Sequence, residues 1–183
     1  MSVSVIILLV ILAFVFVTVS SYNSLVSGRN KCDEAFSTMD VYLKKRFDLI
    51  PNLVATVKGY SKHEAETLEK IIKARNATSS VSVQELSDSE NKISSAMRQI
   101  FALSESYPEL KADESFRSLM SQLKSLEDDI TNARKYYNAV VKLYNDKCQM
   151  IPTNIIAGMF NFKTRALFTV DDSAERKNVT VEF

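Results

Sequence analysis

The chain has 183 residues, 23 Lys and Arg against 22 Asp and Glu, a single His and two Cys. So even a charge balance leaves no overall field to draw nucleic acid or an acidic substrate, and nucleic-acid binding is not expected. Cys32 and Cys148 lie far apart without metal-ligand spacing, which excludes a thiolate zinc site and reads as two reduced, inert core thiols.

From Val3 to Val19 the chain is apolar except for Ser4 and Thr18, and no charge precedes Arg29. At about 1.5 Å per residue, residues 1–21 as a helix cover about 30 Å, the thickness of a bilayer's hydrocarbon core. They are expected to anchor the chain in the lipid bilayer as a single-pass transmembrane helix. A cleaved signal peptide is the rival, with Ser20 and Ser21 as small residues for a peptidase, but no Lys or Arg precedes the apolar run to make its basic start. Arg29, Lys31, Lys44, Lys45 and Arg46 all follow the span, so the positive-inside rule places the N-terminus outside and the rest in the cytoplasm, at the cell membrane.

The remaining residues, about 160, fit one domain with a sizeable core. With three glycines and three prolines and helical spacing between them, this domain is expected to be all-α. Tyr22, Leu25, Cys32, Phe36, Met39 and Leu43 form a stripe that continues the anchor into a first bundle helix. Asp48 reads as the N-cap of a second helix, with Pro51 in its first turn, marked by Leu53, Val54, Val57, Tyr60, Leu68, Ile71 and Ile72 and fraying near Arg75. One continuous helix through Pro51 is the alternative. A polar connector, residues 76–82, precedes a third helix marked by Leu86, Ile93, Met97, Ile100 and Leu103, which stops before Pro108.

The last long helix is the clearest. Phe116, Leu119, Leu123, Leu126, Ile130, Ala133, Tyr137, Val140 and Tyr144 alternate steps of three and four, a heptad seam of coiled-coil type. Asp113 or Ser115 caps it, and Pro152 ends it. The expected architecture is a transmembrane anchor, residues 1–21, followed by an antiparallel up-and-down four-helix bundle, residues 22–165, and a tail, residues 166–183, whose last five residues alternate like a strand. The last helix then returns to the membrane, bringing Cys148 to the end where Cys32 lies and Ile155, Ile156, Met159, Phe160 and Phe162 near lipid or into the bottom of the bundle.

Several motifs carry a family resemblance. Tyr22 to Val26, Asp40 to Val54, Val57-Lys58-Gly59-Tyr60, His63-Glu64, Ala74-Arg75, Tyr107 to Lys111, Leu126-Glu127, Ala133-Arg134, Tyr137-Asn138, Tyr144-Asn145 and Pro152 to Gly158 together resemble the LemA family of bacterial membrane proteins over nearly the whole chain. Departures are small: Phe36 stands where Trp is commoner, Tyr42 where Gln is, and Met159 falls in a usually Leu-rich stretch. The resemblance implies one N-terminal membrane helix and an antiparallel four-helix bundle. It implies no particular biochemical activity.

Catalytic constellations are incomplete. His63-Glu64 lacks the second histidine that a zinc protease needs four residues on, where Thr67 stands, and Tyr60 stands where a di-iron Glu-x-x-His pair needs its Glu. An acid–base pair of His63 with Glu66 is the residual reading against a polar helix face. With no G-x-S-x-G and no glycine-rich phosphate loop, no catalytic residue, metal site or cofactor is expected, and the chain is not expected to be an enzyme. The polar residues left for interaction or a polar network are Lys44, Arg46, Asp48, Asn52, His63, Glu127, Arg134, Asn138 and Asn145. Glu127 with Arg134, and Asn138 with Asn145, are seven apart and read as a ladder that fixes helix register. The Lys44-Lys45-Arg46 cluster lies about 35 Å beyond the span on a straight helix, far past a Debye length of about 8 Å, so it is assigned to Asp40, Asp48 or a partner rather than to lipid. The expected function is protein–protein interaction, as a scaffold or assembly factor that binds an unidentified membrane or cytoplasmic protein. A homo-oligomer, or a sensing module acting through the first helix, is the alternative.

Overall fold

The computed structural model describes residues 3–60 and 83–169. Five helices follow in order: α1 Val3–Tyr60, α2 Val83–Ser106, α3 Pro108–Ala112, α4 Glu114–Gln149 and α5 Thr153–Met159, with no strand among the described residues. The sequence pattern read α2 and α4 to within a residue or two. The expected connector at residues 76–82, the marks Leu68, Ile71 and Ile72, and the terminal strand lie outside the described residues.

Of the two readings at Pro51, the continuous helix is the one observed, and no separate helix begins at Asp48. Asp48 is an exposed residue inside α1, not a cap, and α1 passes through Pro51 to Tyr60. Proline in a helix interior costs about 3 kcal/mol in a lost hydrogen bond and a ring clash. Ile50, Leu53 and Val57, all fully buried, continue the same stripe across it, and burying side chains of this kind returns about 1.5–3 kcal/mol each. The stripe therefore outweighs the break.

That stripe is longer than its apolar marks. Ser21, Leu25, Gly28, Cys32, Ala35, Met39, Leu43, Arg46, Ile50, Leu53 and Val57 are buried in steps of three and four, while residues 5–17 of the same helix are apolar and exposed. By length and composition this first part of α1 is sufficient to cross a membrane. Thr18 there donates its hydroxyl to the Phe14 carbonyl at 2.9 Å, which removes a polar group that an apolar surrounding would leave unsatisfied.

The chain divides into two compact units, Met1–Asp40 with Asn132–Leu167, and Val41–Thr131 with Phe168–Phe183. In the first, the Tyr144 ring packs on α1 so closely that a Cβ on Gly28 would fall 3.1 Å from its Cδ2. Phe36 meets Tyr137 at 5.8 Å between centroids, and Lys147 Nζ donates to Ser24 Oγ at 3.0 Å. In the second, Ile50, Leu53, Val54, Val57, Ile93, Ala96, Ile100, Leu110, Phe116 and Leu123 form one core.

Asp113 joins α3 to α4 and serves both. Its backbone N–H closes α3 on the Glu109 carbonyl at 3.1 Å, and its Oδ1 accepts the Phe116 N–H at 2.8 Å as the N-cap of α4. Pro108 at the start of α3 loses nothing by lacking an N–H, so the residue expected to end one helix also begins the next. Leu123 sits inside the core cluster whereas Leu126 is only half-buried. Leu123→Ala is expected to cost about 2–5 kcal/mol in chemical denaturation and Leu126→Ala clearly less; equal costs would contradict this placement of the seam.

Candidate functional site

The run Lys44, Lys45, Arg46, Phe47, Asp48 is sorted by helical phase. Lys44 and Asp48 face solvent, as does Asn52, whose carbonyl accepts the Thr56 hydroxyl at 2.9 Å. Lys45 places its ammonium over the Tyr42 ring at 5.6 Å. Arg46 falls on the buried stripe and is 2% exposed.

Arg46 is held from three sides inside the second unit. Its Nη1 lies 3.2 Å from Glu90 Oε2 and 2.7 Å from Glu127 Oε2, and its Nη2 donates to Ser94 Oγ at 3.0 Å. Glu90 and Ser94 come from α2 and Glu127 from α4, so one guanidinium ties three helices. Glu90 is completely buried, whereas the Glu127 side chain is 43% exposed. Glu90 was not among the residues expected at a site. The signal available was weak, an acidic residue on α2 three before Ile93, and no pattern in the sequence pairs it with Arg46.

This cluster opens on a cleft of about 540 Å³. Met97, Phe101, Met120 and Leu123 give it apolar walls, and Arg98 and Lys124 stand with Glu127 among its polar residues. Phe101 is more than half exposed. An apolar pocket of this size, with a few convergent polar groups, suits the insertion of a large side chain or a small molecule.

Arg134, Asn138 and Asn145 belong to the first unit. Arg134 is buried, and Asn138 half-buried. The Tyr-Asn motifs of α4 hold the extended segment after α5: the Tyr144 hydroxyl donates to the Lys163 carbonyl at 3.1 Å and the Tyr137 hydroxyl to the Ala166 carbonyl at 3.0 Å. Asn145 clamps Arg165 by both backbone groups, donating Nδ2–H to its carbonyl at 2.9 Å and accepting its N–H on Oδ1 at 2.8 Å. The Arg165 guanidinium then pairs with Asp33 at 2.6 Å. Asn145 therefore holds chain backbone, where a register ladder with Asn138 was expected.

Burial raises the Cys32 thiol and the Tyr137 phenol above their usual ranges. It pushes Tyr144 up to about 12, with a lesser contribution from the neighbouring Cys148 thiol. A raised thiol is a poor nucleophile, so Cys32 acts as packing. Among the described residues, no three His, Cys, Asp or Glu gather where a metal ion would sit, and His63 lies outside them.

Two predictions follow from these contacts. Arg46→Met leaves a carboxylate buried at Glu90 and is expected to cost about 3–5 kcal/mol, while Arg46→Met with Glu90→Leu recovers most of it; a double variant as unstable as the single one would show that the charge is not the cause. The folded Tyr144 phenol binds its proton more tightly than an unfolded one, so its contribution is complete below about pH 10 and is lost as the pH rises toward about 12. Melting temperatures measured across that window are expected to fall less steeply for Tyr144→Phe than for the wild type.

Residues 35–183 match the model of the LemA family. A "Protein LemA" from Metamycoplasma hominis is 28% identical over 161 residues, 87% of this chain and 74% of that protein. "Magnetosome protein MamQ 1" and "Magnetosome protein MamQ 2" from Paramagnetospirillum magneticum are each 27% identical over 85 residues, 46% of this chain but only 31% of their own length.

Proposed function

The chain belongs to the LemA family, and from that premise we propose that it is a membrane-anchored, non-catalytic helical bundle that works by binding another protein as a scaffold or assembly factor. The observation that carries this reading is the cleft beside Arg46, where an exposed Phe101 and the adaptable side chains of Met97 and Met120 stand beside a fixed polar cluster. Interfaces place their strongest contacts on such aromatic and Met surfaces next to oriented charge. The anchoring part of the reading draws on the apolar first part of α1, and its orientation, N-terminus outside and bundle in the cytoplasm, on Arg29 and Lys31 as the first cations after the span.

An antiparallel bundle is supported within the first unit, where Ser24, Gly28 and Phe36 on α1 meet Lys147, Tyr144 and Tyr137 on α4 in reversed order. The continuity of α1 from Val3 to Tyr60 favours a second reading, a sensing module that passes a rotation or shift of the span into the domain.

The scaffold reading is tested by in-cell crosslinking of the full-length protein in membranes, with a chain ending at Ser27 as control. A discrete partner captured by the wild type and lost in Phe101→Glu, a surface change that leaves the melting curve in place, is the expected result. The same partner on both would move the interface away from the cleft, and self-crosslinks alone would replace the scaffold by a homo-oligomer.

A further inference from the structure

We propose that the apolar turn formed by Met150, Ile151, Ile155, Met159 and Phe160 lies in the lipid–water interface beside the end of the N-terminal span, as a second membrane contact in addition to the span. The inference rests on the reading of residues 1–21 as a membrane anchor.

Contacts inside the first unit fix the level of this turn. Lys147, near the end of α4, reaches Ser24, and the Tyr22 ring packs edge-on against Phe160 at 4.9 Å and Phe162 at 5.6 Å. Tyr22 is the first residue beyond the anchor, residues 1–21, the position at which aromatic side chains with one polar end settle at a membrane surface. The turn therefore stands level with the end of the span.

The short α5 helix is two-sided. Ile156 and Ala157 are buried and already close the end of the unit, so plugging the bundle does not account for the opposite face. On that face Met159 is 71% exposed and Ile155 59%, and beside the helix Ile151 is 81% exposed, with Met150 and Phe160 also exposed. An exposed apolar set of this density is expected to meet an apolar surrounding. The exposed apolar side chains of the span, of which Val19 is the last, have the same requirement.

Charge selects lipid over another apolar cover. Between Asp146 and Asp171 the chain has no carboxylate, while Lys147, Lys163 and Arg165 fall within it, Arg165 being paired with Asp33. Arg29 lies over the Phe162 ring at 5.4 Å, next to the same turn. Apolar residues flanked by cations such as Lys163 and Arg29 are the pattern of a segment that sinks its side chains among acyl chains and leaves its ammonium and guanidinium groups among phosphates.

The chain has no tryptophan, so each single substitution to Trp gives one fluorophore. Ile155→Trp, Met159→Trp, Phe14→Trp and Tyr136→Trp in the full-length protein are reconstituted into phosphatidylcholine vesicles containing phosphatidylglycerol, with bromines placed at shallow or deep acyl positions. All four replace exposed side chains. Tyr136 adjoins Tyr137, which meets Phe36, about 20 Å along α1 beyond Tyr22.

The expected result is blue-shifted emission for Ile155→Trp and Met159→Trp, with shallow bromines quenching them several-fold more than they quench Tyr136→Trp and deep bromines quenching Phe14→Trp. If Phe14→Trp is quenched while both turn variants behave like Tyr136→Trp, the span stands and the proposal is overturned, the face being covered by a second copy or a partner or left in water. If Phe14→Trp is itself unquenched, the membrane span falls and the second contact with it.

Discussion

Arg46 sets the arrangement of its unit because a permanent charge on a buried stripe has few acceptable surroundings. Guanidinium does not lose its proton at any ordinary pH, so burial has to be met with acceptors rather than by neutralisation. Glu90, Glu127 and Ser94 supply them from two other helices, and they do so only in one rotation and one register of α1, α2 and α4. A leucine at the same position would bury as well and tolerate a slide by a turn. The cluster therefore adds little net stability and much discrimination between packings, the use of buried polar groups best attested in helical bundles. The half-exposed Glu127 carries that fixed charge to the mouth of the cleft.

The first unit solves a related problem with neutral groups. After α5 the chain runs extended, and extended backbone has no helix of its own to satisfy its N–H and C=O groups. Tyr137, Tyr144 and Asn145 satisfy it from one face of α4: two phenols reach carbonyls, and one amide reads both groups of a single residue as a neighbouring strand would. The phenols do double duty, since each ring also packs against α1. Gly28 is required by this closeness rather than by backbone conformation; Tyr144, tied at its hydroxyl, has little room to yield to a Cβ.

What the sequence made legible follows from how local each signal is. The α4 seam and the exposed apolar start of α1 are repeated patterns within one element, and periodicity reads such patterns directly. Pro51 left two readings open because a local penalty is visible in the sequence while the burial that offsets it, Ile50 to Val57 against another helix, is not. The same limit applies at the site. Arg46 and Glu127 stood out by type and spacing, but Glu90, the one carboxylate of the cluster with no solvent, looked like any acidic residue on a polar helix. Asn145 was recognised as important and given the wrong task, because its ligand is main chain and main chain leaves no trace in a pattern of side chains.

Exposed and buried members of the same motif then divide the labour. In Lys44-Lys45-Arg46 only the residue in phase with the seam is buried, and its two neighbours are exposed, Lys45 with its ammonium over the Tyr42 ring. In Ile155-Ile156-Ala157-Gly158-Met159 the middle residues close the unit and the outer ones face outward. A helix can bury about one face, so every apolar residue beyond that face needs another reason to be apolar. In α2 and α4 those surplus residues, Phe101 and Met120, line the cleft; in α5 they stand beside Tyr22 at the end of the span. Under the proposed reading, a partner would cover the first of these surfaces and lipid the second.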